Sequence, residues 1–120
     1  MAQLPQIVAF RDAVAPESQV PEAARLLAGT PKLTLWNHYA DGSGQFFAGV
    51  WAATRGAWRV RYTEHEFCHL IAGRISIVSD DGTRWQFQAG DSFVIPAGFS
   101  GAWEVLEDCR KLYAIFESAR

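Results

Sequence analysis

From Lys32 onward the sequence alternates with a period of two. Leu33 and Leu35 alternate with Lys32 and Thr34. Trp58, Val60 and Tyr62 alternate with Arg59 and Arg61. Ile75 and Ile77 alternate with Arg74 and Ser76, Trp85 and Phe87 with Arg84, Gln86 and Gln88, and Phe93 and Ile95 lie between Ser92 and Pro96. Leu112, Ala114 and Phe116 close the series. A period of two sends successive side chains to opposite faces of a strand, and a helix cannot use it. Turn-forming residues separate the runs: Asp41-Gly42-Ser43-Gly44, Arg55-Gly56, Ala72-Gly73, Asp80-Asp81-Gly82, Ala89-Gly90-Asp91 and Pro96-Ala97-Gly98. About seven to nine short strands, spaced roughly eight to twelve residues apart, predict an all-β sandwich or barrel. A jelly roll is one way to manage so many edges.

The first 31 residues have a different character. They carry Pro5, Pro16, Pro21 and Pro31. Pro21 through Ala28 reads as a short helix, with Pro at its first position and Gly29 just past its end. Residues 1–31 are therefore expected to form an arm with a short helix, lying over a domain of residues 32–120.

The 120 residues, 49% hydrophobic and 20% charged, suffice for one domain with its own core. A net charge of -2 carries no basic excess, so nucleic acid is not an expected partner. No run approaches the roughly eighteen apolar residues of a membrane span, and the N-terminus lacks a charged segment followed by an apolar one. The expected location is the cytoplasm. A secreted disulfide scaffold would carry more than Cys68 and Cys109, which are expected to be reduced and buried. Five Trp, eight Phe and three Tyr suit β-structure around an aromatic-lined cavity.

Two segments carry a family resemblance. Glu66-Phe67-Cys68-His69-Leu70-Ile71-Ala72-Gly73-Arg74 resembles the end of the first cupin motif, a Glu followed seven residues later by Gly. Gly90-Asp91-Ser92-Phe93-Val94-Ile95-Pro96-Ala97-Gly98 resembles the start of the second. The continuation through Phe99-Ser100-Gly101-Ala102-Trp103-Glu104-Val105 and Arg110-Lys111-Leu112-Tyr113 is similar to the cupin branch of ureidoglycine aminohydrolase and the ethanolamine-utilisation cupin. The resemblance covers roughly residues 46 to 117. It implies an antiparallel double-stranded β-helix, the cupin jelly roll. It implies little about activity, because one fold hosts many chemistries.

The resemblance also implies a metal site of two His and a Glu from the first motif and a His from the second. Here the first two positions fall on Val60 and Tyr62, or on Arg59 and Arg61 with a one-residue gap, and the last falls on Gly101. Only the carboxylate, Glu66, remains, and no metal or other cofactor is expected. His65 and His69 are offset from Glu66 by odd numbers and should face away from it, and His38 is distant in sequence. A rearranged site using His65 or His69 is the alternative.

The parity of Glu66 selects Val60, Tyr62, Cys68 and Leu70 for the inner face, and that of Gly101 selects Trp103 and Val105. The candidate ligand-binding residues are Trp58, Tyr62, Cys68, Trp103 and Lys111, with Glu66 as the candidate catalytic residue. Burial disfavours the charge of a carboxylate and suits it to acid–base work. The other reading of Glu66 is structural, paired with Arg59, Arg61 or Lys111. Arg59 and Arg61 form either a solvated or dimer-facing row or an anion site. Two functions follow: a metal-poor pocket binding a small polar metabolite, or a small cupin enzyme acting on a nitrogenous or carboxylated metabolite. The expected protein partner is a second copy, with Leu4, Ile7, Val8 and Phe10 of the arm packed across it and an edge covered.

Overall fold

The computed structural model describes residues 4–118, so residues 1–3 of the arm and 119–120 of the domain lie outside the described residues. Nine strands follow in order among the described residues: β1 Glu17–Gln19, β2 Leu26–Ala28, β3 Leu33–Ala40, β4 Phe46–Ala53, β5 Gly56–Arg61, β6 His65–Ser79, β7 Arg84–Gln88, β8 Ser92–Ile95 and β9 Ser100–Phe116. The long strands β6 and β9 pair along their whole length, from His65 opposite Phe116 to Ser79 opposite Gly101. Each belongs to two sheets. One sheet runs β1-β3-β4-β9-β6-β8, using the C-terminal half of β9 and the N-terminal half of β6. The other runs β2-β5-β9-β6-β7 through their remaining halves. All pairings are antiparallel, and the inner faces share one core in which Cys68, Leu70 and Ile95 of the first sheet meet Trp58, Ile77, Trp103 and Val105 of the second. This is the expected jelly roll.

Two expectations fail, each for a backbone reason. The reversal predicted at Ala72-Gly73 is a bend inside β6, which runs on as one strand. The ladder to β9 shifts register between Leu70 and Ile75, Gly73 adopts φ 88°, and a Cβ there would stand 2.3 Å from the Asp108 carbonyl oxygen. Only glycine meets both demands, and such irregularities bend a paired ribbon from one sheet into the next.

The second failure is the helix at residues 21–28. In its place stand a single 3₁₀ turn, Ala23–Arg25, and strand β2. An isolated helix of that length gains little from its own hydrogen bonds. The edge of β5 offers better partners, and Leu26 pairs with Trp58 and Ala28 with Ala57. β1 likewise pairs with β3. The arm thus extends both sheets by a strand, and Arg25 comes to the rim of the cavity described next. No helix among the described residues is long and apolar enough to cross a membrane.

Candidate functional site

A cavity of about 340 Å³ opens between the two sheets. Leu33 and Leu35 of β3, Trp51 of β4, Trp58, Val60 and Tyr62 on and just after β5, Glu66 of β6, and Trp103, Lys111, Tyr113 and Ile115 of β9 line it. Strand pairing explains the set. Lys111 stands opposite Trp51 on one side and Leu70 on the other, Tyr113 stands between Gly49 and Cys68, and Trp103 between Trp58 and Ile77. Each row keeps one face of the sheet, so all of these side chains point inward. Gly49 leaves the space that Tyr113 needs, since a Cβ there would lie 2.7 Å from the Tyr113 hydroxyl. That hydroxyl donates to Asn37 Oδ1 at 2.6 Å.

The floor of the cavity is charged. Lys111 Nζ lies 2.8 Å from Glu66 Oε2, and the residues are only 3% and 5% exposed. The same ammonium sits over the rings of Trp51 and Trp103, 4.5 and 4.4 Å from their centroids, and donates weakly to Cys68 Sγ at 3.6 Å. Burial opposes the charge on Lys111, but the facing Glu66 carboxylate and the Cys68 sulfur reverse the balance and hold its proton above the usual lysine range. Burial pushes the Cys68 thiol up to about 12, against the pull of Lys111. Burial and then the Glu66 charge push the Tyr62 hydroxyl well above the usual tyrosine value. Tyr62 also accepts a hydrogen bond from Trp103 Nε1 at 3.2 Å and faces Glu66 with its hydroxyl. A connected chain of Trp103, Tyr62, Glu66, Lys111 and Cys68 results.

The fold therefore brings Glu66, Trp58, Tyr62, Trp103 and Lys111 to one cavity. Cys68 is fully buried behind Lys111 and does not line the cavity wall. The buried partner of Glu66 is Lys111, while Arg59 lies 4.0 Å from Asp80 in the exposed ion pair of that residue, and Arg61 is exposed. Sequence reasoning missed Trp51 and Tyr113. The β4 segment Phe46–Ala53 has no clean apolar alternation. On β9 the apolar set Leu112, Ala114 and Phe116 carries the alternation, yet the inner face belongs to Lys111, Tyr113 and Ile115. Parity with Trp103 at odd numbers was the available signal, although a bulge near Asp108 could have broken it.

The residues do not fit a transition metal. Val60 and Tyr62 bring no metal-binding nitrogen. A Cβ at Gly101 would stand 2.0 Å from the Val78 carbonyl oxygen, so no histidine fits that backbone. Among the described residues no three His, Cys, Asp or Glu side chains come together as a ligand set. The histidines are engaged elsewhere. His65 accepts from the Ala97 amide at 3.1 Å and stacks on Phe116, His69 bonds Ser92 Oγ at 2.7 Å, and His38 stacks on Phe10. The cation that Glu66 faces is the Lys111 ammonium.

Comparison with known proteins gives a family and a fold. The family model of the EutQ-like cupin domain matches residues 40–113. No curated protein matches the sequence. Among solved structures, a protein of unknown function of the DUF861 family from Pseudomonas syringae pv. tomato is 22% identical with a TM-score of 0.78, over 90% of this chain and 46% of that one. The EutQ protein of Clostridium difficile is 17% identical with a TM-score of 0.66, over 73% of this chain and 64% of that one. Ectoine synthase from P. lautus is 11% identical with a TM-score of 0.62, over 71% and 64%. At these identities the likeness is one of fold, and this chain spans less than two thirds of each of the three.

Proposed function

The chain belongs to the EutQ-like cupin domain family, and on that footing we propose that it binds a small polar metabolite in the cavity floored by Glu66 and Lys111. One observation carries this reading: a nearly dry, oppositely charged pair lies at the bottom of an aromatic pocket of ligand-binding size. A core built only for stability has no use for such a pair, since apolar residues of the same volume are often equal or better. Trp51, Trp58 and Trp103 surround the cavity and report on its contents. A broad library of small polar metabolites, screened by tryptophan fluorescence and thermal shift, should yield ligands that move both signals. A library that moves neither overturns the reading.

An enzymatic use of the same site is the second reading. It is favoured by the Tyr62 hydroxyl facing Glu66 beside the protonated Lys111, a path along which a proton could be passed. The substrate is then a nitrogenous or carboxylated metabolite and Glu66 the base. For any ligand found in the screen, Glu66→Gln should abolish turnover at saturating ligand, and turnover that survives the change overturns this reading.

We also propose that the protein partner is a second copy of this chain. The outer faces of the two sheets differ sharply. The β5-β9-β6-β7 face carries Arg59, Arg61, Glu104, Arg74 and Arg84. The β4-β9-β6-β8 face carries Phe46, Phe67, Val94 and Phe116, which leave 40%, 46%, 59% and 46% of their surface in water, with Ala48, Ala114 and Leu112 between them. A continuous apolar face of this kind marks an interaction surface, and two copies related by a two-fold axis would cover it with like surface.

A further inference from the structure

The cavity contains three kinds of recognition element, and each restricts what can enter. The first is a cation seat. The faces of Trp51 and Trp103 and the Glu66 carboxylate surround one point, the arrangement that recognises ammonium ligands. Lys111 already fills it with its own ammonium, so a cationic ligand finds the seat taken. The second element is charge balance. Glu66 and Lys111 cancel each other in a nearly water-free place, and a net charge brought beside them would lose its hydration without a counter-charge. Arg25, Arg59, Arg61 and Glu64 stand at the rim in contact with solvent, where Arg25 and Arg59 each have a carboxylate within 4.0 Å, Glu22 and Asp80 respectively, so these charges keep their hydration and lie apart from the dry floor. The third element is shape. Trp51 and Trp58 offer flat apolar walls, and the buried Trp103, within 12° of parallel to Trp58, backs them.

Building on the pocket assignment above, we propose that the ligand is a small, uncharged, planar molecule with an adjacent N–H and C=O, of the lactam or secondary-amide class. The floor presents the complementary edge. A carboxylate has about four lone-pair sites, and Lys111 and the Tyr62 hydroxyl each take one of those on Glu66, leaving acceptor capacity for a ligand N–H. The Lys111 ammonium has three donors, of which Glu66 and Cys68 take two, and the third is the donor for the ligand carbonyl. A hydrogen bond to a charged group in a dry site is among the strong ones, so the N–H carries most of the selectivity.

Four probes of nearly equal size test the class on the intact protein: 2-piperidone, N-methyl-2-piperidone, piperidinium and pentanoate. Each is titrated while tryptophan fluorescence and the indole N–H signals are followed by NMR. 2-Piperidone should bind, and its N-methyl analogue should bind roughly tenfold or more weakly, because one hydrogen bond to Glu66 is lost. Piperidinium and pentanoate should bind more weakly than the lactam. Equal binding of the N-methyl compound overturns the proposal, and so does tighter binding of either ion, while both results leave the pocket assignment standing. Silence from all four overturns the ligand class, and the pocket assignment falls with it only if the metabolite library is silent too. Tyr62→Phe, which keeps the ring and the ion pair and frees a lone pair on Glu66, should leave 2-piperidone bound ahead of its N-methyl analogue. A reversal of that order in Tyr62→Phe would overturn the assignment of Glu66 as the acceptor.

Discussion

The Lys111 ammonium lies 2.8 Å from the Glu66 carboxylate, and the two residues sit opposite different neighbours of the same ladder, β6 against β9. Neither charge has water to fall back on. Each is tolerable only because the other is present, and the two tryptophan faces and the Cys68 sulfur complete the shell of the ammonium.

Removing one partner should therefore cost far more than removing both. Lys111→Met or Glu66→Gln alone is expected to destabilise by about 3 to 5 kcal/mol, because a buried charge loses its counter-ion. Lys111→Met combined with Glu66→Gln should cost clearly less than the sum of the two single changes. Urea unfolding of the four proteins measures the coupling, and additive losses would contradict it.

Stability should fall in alkali. Cys68 and Cys109 titrate at about 12 and about 11 in the fold against an ordinary 9.0, both through burial, and Tyr113 at about 12 against 10.0. Lys111 and Tyr62 are shifted upward as well. Every one of these groups holds its proton more firmly folded than unfolded. The unfolded chain thus loses protons first as pH rises, and stability falls with it. The contribution is whole below about pH 9 and is lost between about pH 9 and 12, as the unfolded and then the folded groups titrate. Urea midpoints across that range give the slope, and Cys68→Ala should flatten it.

Gly101 should reject a side chain. The Val78 carbonyl oxygen lies 2.0 Å from where a Cβ would stand. Gly101→Ala is expected to cost about 2 to 3 kcal/mol through backbone displacement. Gly101→His should destabilise at least as much and should not create a tight metal site, since Val60 and Tyr62 still supply no ligand. Thermal unfolding with and without added zinc or manganese checks both parts, and a large metal-dependent rise in Tm for Gly101→His would refute it.

The apolar outer face should govern self-association. Light scattering at low micromolar concentration is expected to give twice the chain mass. Phe67→Glu, in the middle of the patch, should give the monomer with the fold intact by circular dichroism. A chain beginning at Phe10, which lacks the exposed Leu4, Ile7 and Val8, separates this face from the arm as the main contact. Loss of the dimer only on arm truncation would move the interface to the arm.

The period-two alternation of Trp58, Val60 and Tyr62, of Ile75 and Ile77, and of Phe93 and Ile95 was enough to determine an all-β fold and most of the inner face, because a strand has two faces and only one is dry. The same parity placed Tyr62, Glu66 and Trp103 together as candidates and turned His65 and His69 away, while Lys111 entered only as a further candidate beside them. Three things were decided by tertiary structure. Residues 26–28 became a strand because the β5 edge supplied hydrogen-bond partners that no local signal reveals. Gly73 became a bend because β9 passes within 2.3 Å of its missing Cβ. The partner of Glu66 became Lys111, although Arg59 and Arg61 are nearer in sequence, because β6 and β9 are adjacent across a ladder that spans 45 residues of chain between the two charges. Periodicity is a property of one strand and is written in its own residues. Which strand lies next to it depends on closing the barrel, and that is a property of the whole chain.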